Sequence, residues 1–130
     1  MNERKRIRKP AGLVHIVAWV VFGAWAGFWM FFNVASGFGE IAEYGTGSLI
    51  GHLMMPAGIV IVLAVLLLNR LLGGLLLLAG AVGCLLFFRG NYEIFLALTL
   101  VLPQLLAGAL FIAGVFTGPK AAKPANPAAV

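Results

Sequence analysis

Five side chains in this sequence have the chemistry to take part in a site: Glu40, Glu43, His52, Thr99 and Gln104. The first three fall within the stretch GEIAEYGTGSLIGHLMMP, residues 39 to 56, which holds two of the chain's four acidic residues and one of its two histidines. A carboxylate beside an imidazole can relay a proton or bind a small polar solute. Two prolines add to the polar inventory. Proline has no N–H, so Pro56 leaves the carbonyl of His52 without its helical donor, and Pro103 does the same to Thr99, next to Gln104. On this reading the five side chains form a polar pocket at one end of the molecule, with helix kinks at Pro56 and Pro103. The plainer reading is a solvated connection followed by two kinked helices whose freed groups are met by their neighbours.

The elements that must position these residues are read from composition. The chain has 130 residues, of which 62% are hydrophobic and only 10% charged; its mean hydropathy is +1.06. That is too little polar side chain to cover a water-facing surface of this size. The apolar residues are gathered into long runs, and a hydrocarbon core about 30 Å thick needs about 20 helical residues to cross. Four runs qualify: 11–32, 49–68, 71–88 and 94–116. A backbone in lipid must satisfy its own hydrogen bonds, so the runs are helices. The expected fold is an all-α, integral membrane, up-down-up-down four-helix bundle. A basic tail (1–10) precedes it, and a Pro- and Ala-rich tail (117–130), read as disordered, follows it.

Five of the nine basic residues lie in the first nine positions. With Arg70, Lys120 and Lys123 they make eight on one side of the four crossings, against Arg89 alone on the other. This bias places both termini in the cytoplasm and the Glu40–His52 stretch outside. The expected location is a plasma (inner) membrane. The net charge of +5 is therefore a topology signal, and no nucleic-acid partner is expected. The first run is longer than the apolar region of a signal peptide and is read as a retained span.

No metal or cofactor is expected. Cys84 is the one cysteine, read as a small packing residue. His15 and His52 fall at opposite ends of their spans, roughly 20 Å apart by helical rise, too far to share a metal or haem. In the first span, Gly23 and Gly27 form a GxxxG pair on a side with Ala26 and Met30. Phe22, Trp25, Trp29 and Phe32 lie about 130° away. The glycine side is expected to support helix packing, within the chain before dimerisation. Gly47/Gly51, Ala79/Gly83 and Ala109/Ala113 are further small pairs.

The marks HLMMP in the second span, NRLLGG at the second connection and LPQLLAGALF in the fourth resemble those of short four-span prokaryotic membrane proteins known as a domain of unknown function. The resemblance covers residues from about 13 to 116. It implies the four-span fold and brings no activity with it.

No Asp, Glu, Lys or Arg lies within the four runs, whereas ion-coupled transporters place ionisable groups there. The expected function is a non-enzymatic accessory or assembly component of a membrane complex. Its partners are the lipid bilayer and a neighbour in the membrane, either another protein or a second copy. The alternative is a small-solute or proton-linked permease using the outer polar residues. A membrane-embedded enzyme is disfavoured, because no nucleophile–base pair, metal-ligand set or phosphate loop is present.

Overall fold

The computed structural model describes residues 12–89 and 93–117. The basic opening segment, residues 90–92 of the RGNYE connection and all of the tail read as disordered except Thr117, which ends the last helix, lie outside the described residues. The described chain is helical, in four helices long and apolar enough to cross a membrane: α1 (Leu13–Tyr44), α2 (Thr46–Leu68), α3 (Arg70–Phe87) and α4 (Ile94–Thr117). Within α4, residues Ala97–Val101 form a π-helical turn.

The breaks between helices have local causes. Asn69 alone separates α2 from α3. Its backbone N–H donates to Val65 O at 2.7 Å, ending α2. Its side-chain oxygen accepts from the Leu72 N–H at 3.1 Å, starting α3, the usual service of an asparagine at this position. Gly45 alone separates α1 from α2. It is the one residue with positive φ among those described, at 74°, in a conformation open to glycine and costly for other residues. Its N–H closes α1 on Ile41 O at 2.9 Å.

The first connection is therefore much shorter than the span boundaries imply. Residues 33–44, expected to belong to a connection, continue α1 to a length of 32 residues, or about 48 Å. No proline interrupts them, and the break waits for Gly45. The extension is also packed: Gly37 is buried, and a Cβ placed on it would lie 3.0 Å from His52 Cβ and 3.1 Å from Leu49 Cδ1. The missing side chain lets α1 and α2 approach closely there.

Each helix packs on two others, α1 on α2 and α4, and α3 on α2 and α4. At the α3–α4 contact two backbones meet: a Cβ on Gly74 would stand 3.0 Å from Gly108 O, and one on Gly108 2.9 Å from Gly74 O. Gly73 likewise receives Leu66, one of the largest fully buried side chains. The core takes Phe22, Trp25 and Trp29 from α1, Ile59 and Leu66 from α2, Leu77 from α3, and Leu100 and Phe111 from α4. Trp19 and Phe111 meet edge to face at 5.1 Å between centroids, a favourable aromatic geometry.

This arrangement corrects the expectation for the small pairs. Gly23 and Gly27 are exposed, and a Cβ on either would have no atom within 4 Å. They do not pack within the chain. Gly47, Gly51 and Gly83 have equally open surroundings, and Ala79, Ala109 and Ala113 are exposed. The reason is the opposite side of α1. Phe22, Trp25 and Trp29 bury far more area, and the two tryptophans carry indole N–H groups that need acceptors. Turning that side inward turns Gly23 and Gly27 outward. Phe32, expected to share the aromatic side, stays half-exposed at the periphery.

Candidate functional site

Three polar constellations are built on this frame. The first surrounds the proline of α4. Pro103 offers no N–H, and the π-helical turn ahead of it shifts the ladder by one residue, so that the Leu102 N–H bonds Ala97 O. Two carbonyls are then served from α1. The Trp29 indole N–H donates to Thr99 O at 2.9 Å, and the Trp25 indole N–H donates to Leu100 O at 3.1 Å. Asn33 extends the chain of bonds, its amide donating to Trp29 O at 2.8 Å and approaching Met55 Sδ at 3.3 Å. The Thr99 hydroxyl is turned back on its own helix, donating to Phe95 O at 2.7 Å. Thr99 thus serves as a structural acceptor at a packed joint.

The second constellation joins α1 to α2. His52 Nε2 lies 3.0 Å from Glu40 Oε2. The pair closes over Gly37, whose missing side chain admits the imidazole. Both groups keep contact with solvent, at 25% exposure for His52 and 44% for Glu40, and such pairs are worth about 0–1 kcal/mol. Glu43, on the same helix, is exposed. Pro56 is buried and α2 continues through it.

The third is a cavity of about 320 Å³ bounded by all four helices, with Trp25 from α1, Ile59 from α2, Gly80 and Cys84 from α3, and Gln104 from α4 in its wall. Gln104 is 7% exposed and is the buried polar side chain among the described residues. Its Oε1 has no hydrogen-bond partner. Its amide nitrogen lies where Gly80 has no side chain: a Cβ on Gly80 would sit 2.8 Å from Nε2. A buried acceptor left unpaired costs about 1–3 kcal/mol.

The five residues of the expected pocket are therefore divided. Glu40 and His52 are brought together. Gln104 lines a cavity whose wall includes neither of them, nor Glu43 or Thr99. Thr99 is engaged with Trp29 and Phe95. Among the described residues no three His, Cys, Asp or Glu side chains gather as a metal site would require.

Sequence reasoning missed the indole donors. The sequence offered only the freed carbonyl of Thr99 and the two tryptophans, and their pairing depends on which side of α1 faces α4. It also missed Gly80, whose role depends on what faces it. No family model matches the chain, and no curated protein or solved structure matches it either, so what the protein does has to be read from these residues.

Proposed function

We propose that the chain is a multi-pass protein of the prokaryotic plasma membrane, an up-down-up-down four-helix bundle with both termini in the cytoplasm. In this reading it acts as a non-enzymatic accessory or assembly component beside another membrane protein. Its surface supports the membrane setting. Long apolar side chains such as Leu68, Phe87, Met54 and Phe31 are between 73% and 88% exposed, an arrangement that would aggregate in water and suits lipid. The positive-inside bias supplies the orientation.

One observation carries the functional reading. Among the described residues, the buried polar or charged inventory consists of Gln104 alone. A conduction or proton path across the bilayer needs a succession of polar or ionisable groups in the interior. The polar bonds between helices come instead from Trp25, Trp29 and Asn33, which tie α1 to its neighbours. The uncovered Gly23–Gly27 side of α1 leaves a lateral approach for a partner helix.

Purification from native membranes in mild detergent tests this. The account expects a stoichiometric protein partner that is lost when Gly23 and Gly27 are both replaced by Leu. Recovery of a lone monomer from the wild type would sink it.

The Glu40–His52 contact favours a second reading, a small-solute or proton-linked permease. That reading expects pH-dependent flux in liposomes, abolished in Glu40→Gln and in His52→Ala. Unchanged flux in both variants removes it.

A further inference from the structure

The cavity around Gln104 has more room and less polarity than packing requires. Close packing between helices leaves few gaps larger than a water molecule, whereas this recess, partly open to the surface, holds about 320 Å³, the size of a small-molecule site. Two glycines help to make it. Gly58 lines it with no atom within 4 Å of where its Cβ would be, and Gly80 yields its side-chain space to the Gln104 amide.

The contents are constrained by the wall. A buried water is held by about three hydrogen bonds. The Trp25 indole N–H in this wall is already given to Leu100 O, and the Cys84 thiol is a weak partner. Gln104 Oε1 is left as an acceptor with nothing donating to it, 7% exposed in the wall of an otherwise apolar recess that is partly open to the surface of the helices. A carboxamide oxygen accepts and cannot donate. The complementary molecule is one with a hydrocarbon body and a single hydroxyl donor.

We propose that this cavity binds a slender lipophilic alcohol, with its hydroxyl donating to Gln104 Oε1 and its chain lying against Ile59, Val62 and Leu76. The site is independent of the partner reading above, since it lies between the helices and not on the Gly23–Gly27 side.

The test uses the full-length protein released from detergent and observed by native mass spectrometry with added 1-dodecanol. Dodecane and dodecyl methyl ether are the controls that lack the donor. The wild type is expected to carry one alcohol per chain, with an occupancy at least fivefold above that of either control. Gln104→Leu, which removes the acceptor at similar volume, should lower alcohol occupancy at least fivefold. Gly58→Leu grows into open space and should do the same by filling the cavity. Circular dichroism checks that both variants keep their helix content, and if Gln104→Leu does not fold, Gly58→Leu decides. Absence of an alcohol adduct, equal occupancy by alcohol and ether, or undiminished occupancy in a folded variant would overturn the proposal.

Discussion

The Trp29 indole N–H donates to the carbonyl of Thr99 at 2.9 Å, the carbonyl that Pro103 cannot serve. This one contact ties the aromatic side of α1 to the irregular turn of α4. It also explains why that side of the helix faces inward. The neighbouring bond from Trp25 to Leu100 O repeats the device one turn away.

Trp29→Phe keeps an aromatic ring and removes the donor. It should destabilise the folded protein by about 0.5–1.5 kcal/mol, the net worth of a hydrogen bond at a part-buried site. Pro103→Ala restores an N–H next to the same carbonyl. The double variant should therefore lose less stability than the sum of the two single ones, by about 0.5 kcal/mol or more. Reversible unfolding in mixed micelles measures all three, and strict additivity would show that the two groups are not coupled.

The glycines divide by position, and the division has opposite signs. Gly37→Leu forces a side chain against His52 and Leu49 and should cost about 1–3 kcal/mol. Gly108→Ala places a Cβ 2.9 Å from Gly74 O and should also destabilise. Gly83→Ala meets nothing within 4 Å and should leave stability unchanged or raise it by up to about 1 kcal/mol through helix propensity. The same unfolding assay ranks the three variants. Equal effects at Gly37 and Gly83 would contradict the packing described.

Glu40→Gln should have a small effect, below about 1 kcal/mol, because Glu40 and His52 both remain in contact with solvent and exposed pairs contribute little. Its effect should be well short of that of Gly37→Leu one helical turn away. A larger loss in Glu40→Gln than in Gly37→Leu would mean that the pair, and not the close helix approach, holds the end of α1 to α2.

How much of this was legible from the residues depends on the kind of signal. The four apolar helices follow from run length alone, and Asn69 is a readable helix start. The extent of α1 was not legible. Residues 33–44 carry both turn-like and helix-like signals, with Gly37 and Gly39 beside Glu40 and Ala42, and the contact of Gly37 with His52 comes from a partner helix. The direction of α1 was ambiguous for a similar reason. Small residues and aromatics can each form an interface, and the decision rested on the acceptors at Thr99 and Leu100, which lie 70 and 75 residues away in the chain. Glu40 and His52 were grouped from their nearness in sequence. Gln104 was grouped with them through helix direction and approximate depth, and a four-helix interior has several sides at any one depth.

The central claim is a chain that crosses the bilayer four times, with the end of α1 outside and the α2–α3 junction inside. Cysteines placed singly at Glu43 and at Leu68, in a Cys84→Ser background, read both positions with a membrane-impermeant maleimide in intact cells. The account predicts labelling of Glu43→Cys from outside, and of Leu68→Cys only after the membrane is permeabilised. Labelling of both from the same side would contradict it.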